Sequence, residues 1–206
     1  YQAADLAPLC MCPPGGCRYY FAVRHATADE FTRLAAEAAA AGHGGWPIEM
    51  LFAADRAYDV YLDGEHVFHH AGWQESPRVT VFLEKEQSVV AVRTPSNVTN
   101  PGMLGMITRW GGGPPVYQTG PVAWDAFFCK GPPPKEWLMS TVTGPTPAPP
   151  PENKGAFGAP PWNHVPGHFA DSGAKWIWPT GPVPEAESDY CLFRTRIERR
   201  FFEPMN

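Results

Sequence analysis

The sequence predicts an all-β chain: an antiparallel β-sandwich, or jelly roll, with one short inserted helix near residues 28–41 and long proline-rich loops. Three observations predict it. Short runs of β-branched and aromatic residues alternate with polar ones, the period of half-buried strands. Turn-forming pairs such as Asp63-Gly64 separate the runs. Proline supplies 25 of 206 residues, more than double the usual roughly 5%, and it gathers between the strand-like runs.

The elements follow in order. Residues 1–17 carry Cys10-Met-Cys12-Pro-Pro-Gly-Gly-Cys17 and read as an arm. Arg18-Tyr-Tyr-Phe-Ala-Val-Arg24 reads as a strand. Thr27-Ala-Asp-Glu30 is a capping box, in which hydroxyl and carboxylate each satisfy the other's backbone amide. The alanine-rich run to Ala41 propagates the helix with Phe31 and Leu34 on one face, and Gly42 stops it. Trp46 to Ala54 is the next strand.

The hairpin Tyr58-Asp-Val-Tyr-Leu-Asp-Gly-Glu-His-Val67 follows, turning at Asp63-Gly64 because glycine accepts the positive φ of a tight turn. Val79–Leu83, Ser88–Arg93 and Met103–Trp110 are further strands, and Gly111 to Pro115 turns the chain. Val122–Trp124 and Ala126–Cys129 flank Asp125. Ala174–Trp178 and Tyr190–Ile197 close the series; Cys191, Phe193, Thr195 and Ile197 share one face of the last strand, Arg194 and Arg196 the other. The organisation is an N-terminal arm (1–17), one domain (18–197) with a proline-rich loop at 144–166, and a C-terminal tail (198–206). No repeat of 20 to 50 residues is present, which argues against a solenoid.

Net charge is −5, with 18% charged residues. No basic field exists to attract nucleic acid, and no apolar run is long enough for a membrane span. Tyr1 stands first rather than Met, leaving open a removed leader or a partial chain. Cysteine usage and the sequon Asn97-Val-Thr99, an N-glycosylation acceptor before Asn100-Pro101, point to a secreted, extracellular protein. The disulfide candidates are Cys10, Cys12, Cys17, Cys129 and Cys191. A bridge between Cys129 and Cys191 would close a loop of about 60 residues and contribute roughly 4 kcal/mol in the chain-entropy model.

No catalytic constellation emerges. His66, Phe68 and His70 fall on one face of an ideal strand with Asp63 near, but a polar outer face is favoured over a metal site. Asp55, Asp59 and Asp63 are read as outer-face polar groups rather than a glycosidase pair. A nucleophile elbow is missing, and Cys129 is a better disulfide partner than nucleophile. No cofactor or metal is assigned; a structural calcium ion stays open, though no oxygen-rich loop marks its site. Trp73, Trp110, Trp137 and Trp162 lie beside turns and are the candidate sugar platforms.

The strand order resembles galactose-binding-domain-like jelly rolls, found as carbohydrate-binding or accessory modules of extracellular proteins. The resemblance runs from Arg18 to Ile197 and is carried by Ala54-Asp-Arg-Ala-Tyr-Asp-Val-Tyr-Leu-Asp-Gly-Glu-His-Val67, Trp73, Val89–Val92, Gly102–Ile107, Trp124, Phe169–Ser172, Trp176–Trp178 and Tyr190–Arg194. The helix and the proline loops depart from that pattern. The proline tracts resemble hydroxyproline-rich glycoproteins of algae and plants. That likeness implies hydroxylation and O-glycosylation at Pro132, Pro133, Pro134, Pro145, Pro147, Pro149, Pro150 and Pro151. The expectation is a non-enzymatic extracellular structural glycoprotein module. Its partners are further copies of itself, joined through terminal arms (1–9 and Ile197 to Asn206) or strand addition into a surface filament or wall layer, and covalent glycans. The alternative is a carbohydrate-binding module or lectin that takes free carbohydrate.

Overall fold

A computed structural model describes residues 45–120, 124–131, 135–139, 151–156, 158, 160–161, 167–181 and 189–202. The expected strand at 18–24, the helix at 28–41, Cys10, Cys12, Cys17, Trp162 and all the nominated prolines except Pro151 lie outside those residues.

Eleven strands are present among the described residues: β1 (Trp46–Ala54), β2 (Tyr58–Leu62), β3 (Glu65–His70), β4 (Val79–Leu83), β5 (Gln87–Pro95), β6 (Met103–Arg109), β7 (Pro115–Gln118), β8 (Asp125–Cys129), β9 (Glu152–Ala156), β10 (Lys175–Trp178) and β11 (Tyr190–Glu198). They form two sheets. One is ordered β4-β1-β6-β10-β9 with β7 also paired to β6; the other is ordered β3-β2-β5-β11-β8. Every pairing is antiparallel. The sandwich is compatible with a jelly roll.

Most elements follow the sequence pattern. The β2–β3 hairpin turns at Asp63 (φ 51) and Gly64 (φ 86), the double positive φ of a primed turn, whose twist matches the strands it joins. Asp63 is locked there: its carboxylate accepts from the Val89 amide at 2.8 Å and Ser88 Oγ at 3.1 Å, and Lys85 Nζ stands 3.0 Å away. Two strands escaped the sequence reading. β7 opens on Pro115, read as the end of a turn; proline is tolerated as the first residue of a strand, where a missing N–H breaks no ladder. β9 is polar and follows Pro151 directly.

The main core lies between the sheets. Ile48, Met50 and Phe52 of β1 meet Tyr58, Val60 and Leu62 of β2, Val90 and Val92 of β5, and Cys191, Phe193 and Ile197 of β11. Full burial of such a side chain stabilises by about 1.5–3 kcal/mol. The other face of β1 is buried too: Leu51 and Ala53 join Leu104, Met106, Phe169 and Trp176 in a second cluster. Burial on both faces explains why Met50–Ala54 reads as a continuous apolar run. Gly105 lies opposite Phe52, and a Cβ there would collide with the Phe52 ring. The Tyr58 hydroxyl and Ser76 Oγ both donate to the Phe52 carbonyl, closing the core with polar contacts.

The C-terminal tail needs correction. Residues up to Phe202 are docked, not a free arm: Phe202 is 1% exposed. Its carbonyl accepts from Trp46 Nε1 at 3.0 Å and Arg109 Nε at 3.3 Å. A buried aromatic with its carbonyl satisfied is part of the domain, whatever its place in the sequence.

Candidate functional site

The polar side chains of the β2–β3 hairpin gather on the outer face of the five-stranded sheet. The register of β3 shifts between Val60 and Tyr61: Val60 faces Phe68, whereas Tyr61 faces His66. Val67 is therefore a bulge residue, and the bulge changes the phase of everything before it. The sequence expectation of His66 and His70 on one face is overturned. His66 and His69 share the outer face with Asp59 and Tyr61, while His70 turns with Phe68 toward Tyr58.

Asp59 is the centre of this face. Its Oδ1 meets His69 Nδ1 at 2.9 Å and His66 Nε2 at 3.2 Å. Its Oδ2 accepts from Arg93 Nη2 at 2.7 Å and Nε at 3.2 Å. The Arg93 guanidinium lies 4.9 Å from the Tyr190 ring centre and 5.6 Å from that of Tyr61. Burial pushes the Asp59 carboxyl up, but the Arg93 and His69 hydrogen bonds outweigh it, so its pKa is lowered. Burial pulls Arg93 down, and Asp59 more than restores it. Burial raises Tyr61. Both carboxylate oxygens of Asp59 are engaged, so the group is held as a cross-strand anchor rather than as a free base.

The three hairpin aspartates part company. Asp55 accepts from the Asn100 amide at 3.3 Å, Asp59 binds the cluster above, and Asp63 staples the turn. Each is tied to amides, hydroxyls or cations. None of the three faces another across a cleft, which a glycosidase pair requires. Among the described residues no group of three or more His, Cys, Asp or Glu side chains is arranged to hold a metal ion, and none of the helices is long and apolar enough to cross a membrane.

Trp137 caps the middle of the same face, with Leu138, Tyr61, Ala91 and Leu192 around it. It packs on Phe127 and under the Arg194 guanidinium, 4.9 Å from its ring centre. At 9% exposed it is a structural plug, which removes it as a sugar platform. Trp73 packs against the Leu51 and Trp176 cluster, and Trp110 is half-buried at the turn after β6. Asn97 is half-buried and Thr99 exposed in the irregular link between β5 and β6. Pro151 is buried at the start of β9 and is therefore no surface candidate in the folded chain.

Cys129 and Cys191 are free thiols, so the bridge considered from the sequence is not formed. The register gives the reason. Cys191 lies opposite Phe128, and Cys129 opposite Tyr190; directly opposed residues share a face and consecutive ones alternate, so the two thiols project to opposite sides of the sheet. Burial pushes both thiols up, assisted at Cys129 by Asp189 and at Cys191 by Cys129, which leaves them protonated rather than reactive.

Among the described residues, a groove lies at the end of the six-stranded sheet. Arg109, Pro114, Pro115, Val116, Tyr117 and Phe201 line a groove of about 370 Å³. Arg109 Nη2 donates to the Phe201 carbonyl at 2.9 Å, and Tyr117 stacks on Phe202 with ring centres 5.8 Å apart. These contacts fix the wall on which Phe201 stands 45% exposed. Beside the groove, β7 has a strand partner on one side alone among the described residues. No signal in the sequence located this groove, because its two walls lie more than 80 residues apart and meet through Arg109.

No protein-family model matches the chain, and no curated protein or solved structure matches it.

Proposed function

We propose that the chain is a non-enzymatic extracellular structural glycoprotein module that self-associates into a surface filament or wall-type layer. The observation that carries this reading is the groove of Pro115, Tyr117 and Phe201 beside an edge of β7 that has no strand partner among the described residues. An edge strand next to an apolar groove suits an extended peptide: main-chain hydrogen bonds give affinity, and the groove takes alternate side chains. The occupant is the N-terminal arm of a neighbouring copy, residues 1–9, whose Leu6-Ala-Pro-Leu9 is an apolar sequence in which proline disfavours helix. A heterologous contact of this kind repeats without closing and builds a fibre.

The binding of each hairpin aspartate to amides, hydroxyls or cations supports a scaffold over a catalyst. The galactose-binding-like strand order, the half-exposed sequon at Asn97 and the hydroxyproline-like tracts support an extracellular, glycan-bearing module. Deleting residues 1–9, and separately Phe201→Ser, tests the reading. Each leaves a folded monomer where the native chain sediments as polymers; polymers that survive both changes overturn it.

The second reading, a carbohydrate-binding module, rests on the same groove, since Tyr117 and Phe201 offer aromatic faces beside Arg109. Glycan-array binding by the monomer that is lost on Tyr117→Ala would establish it in place of the first.

A further inference from the structure

The groove at the end of the six-stranded sheet is apolar with one exception. Pro114, Pro115, Val116, Tyr117 and Phe201 line it, and Arg109 is its single charged lining residue. Backbone, not an acid, fixes that guanidinium. Its Nε and Nη2 donate to the Phe202 and Phe201 carbonyls at 3.3 Å and 2.9 Å, and no carboxylate pairs with it among the described residues. Glu198, an acid of the same wall, pairs instead with Arg200 at 2.7 Å. The Arg200 guanidinium lies over the Phe201 ring, 4.8 Å from its centre, and Tyr117 meets that ring edge-on at 6.2 Å.

Carbonyls orient a guanidinium but leave its charge standing. Two of the five N–H donors of Arg109 are spent on the wall. The rest keep the fork geometry that takes a carboxylate bidentately. The groove therefore presents a positioned, unneutralised cation beside two aromatic rings, on a chain whose net charge is −5.

We infer that this groove selects its occupant by charge: the carboxylate of Asp5, from the arm of a neighbouring copy, pairs with Arg109, and the apolar residues 6–9 lie against Pro115, Tyr117 and Phe201. The inference rests on the self-association proposed above and adds what makes that contact specific. Charge complementarity picks the segment. Residues 1–9 read Tyr-Gln-Ala-Ala-Asp-Leu-Ala-Pro-Leu, so Asp5 is the single charged side chain of the arm. It is acidic, and it stands immediately before the apolar run. The groove has the mirror composition, one cation among apolar side chains. Apolar contact gives such an interface area, whereas a complementary charge fixes register and rejects wrong partners.

The test uses full chains and reads the critical concentration above which polymers sediment. Asp5→Asn should raise it roughly 10-fold, the loss of one charge-assisted pair. Native assembly should weaken as salt rises, because salt screens the pair, and Asp5→Asn should show a shallower dependence. A second pair of variants probes the groove while leaving the bonds of Arg109 to the wall intact. Pro114 is exposed, so Pro114→Glu sets a carboxylate in the groove without disturbing the core, and Pro114→Gln controls for shape. Pro114→Glu should raise the critical concentration at least about 5-fold more than Pro114→Gln, because the added carboxylate competes for Arg109 and repels Asp5. An unchanged critical concentration and salt dependence in Asp5→Asn, or equal effects of the two Pro114 variants, overturns the inference. If polymers still vanish on deletion of residues 1–9, self-association stands without it. Polymers that survive that deletion overturn both.

Discussion

β3 and β4, each the last strand of its sheet among the described residues, are built in opposite ways. β3 is bulged, bears Glu65 and three histidines, and keeps His66 and His69 with side chains 49% and 57% exposed. It can face water because its twist and charge spoil it as a template. β4 is uncharged, pairs with β1 over five residues without a shift, and four of its five residues are buried. Edge position alone therefore says little about exposure. What decides is whether the strand's own residues are charged and bulged or apolar and regular.

The largest effect should come from putting the chemistry of β3 into β4. Val81→Asp buries a carboxylate at a fully buried core position without a partner and should cost about 4 kcal/mol or more. Urea denaturation followed by tryptophan fluorescence measures this. A loss near zero would mean that the strand opens to water readily and that the contrast between the edges is wrong.

A smaller effect belongs to the anchor behind β3. Asp59→Ala frees Arg93 and both histidines together and should cost about 1–2 kcal/mol, discounted because the histidines are solvent-screened. The cost has a defined pH signature. Burial raises the Asp59 carboxyl, and the Arg93 and His69 bonds more than reverse this, so its folded pKa lies below the ordinary value of 3.8. The contribution is thus present above that value and is lost as pH falls through the lower, folded value. Between pH of about 4 and about 2, the urea midpoint of Asp59→Asn should fall less steeply than that of the native chain. Parallel slopes would show that Asp59 is not held ionised by the cluster.

The smallest effect is at the exposed rim. His69→Ala should change stability by about 0.5 kcal/mol or less, since the ring is more than half exposed and its bond is to a carboxylate already held by Arg93. A cost above roughly 2 kcal/mol would mean that β3 is pinned by its histidines rather than merely decorated by them.

Much of the fold was legible along the chain because strands impose a local period. The Asp63-Gly64 turn, the alternation of Cys191, Phe193 and Ile197, and the strand from Trp46 to Ala54 each need information from a few neighbouring residues. β7 and β9 were not legible: they are short, begin at or after proline, and exist because β6 and β10 offer them hydrogen bonds. The site was harder still. Asp59, His66 and His69 were each singled out or close to what was singled out, yet their grouping depended on one extra residue at Val67. A bulge inverts the facing of every residue on one side of it, and nothing in the composition of Glu65–His70 announces it.

By itself, the sequence determined that this is a β-sandwich, that a hairpin turns at Asp63-Gly64, and which residues of the last strand share a face. Those are consequences of local φ preference and two-residue periodicity, which act over a few positions. The tertiary structure alone decided that Cys129 and Cys191 face apart, that Trp137 is a plug, that Phe202 is docked against Trp46 and Arg109, and that Tyr117 and Phe201 form one groove. Each of these is a question of register or of contact between distant segments. Register is set by how two sheets share a core, not by any one strand.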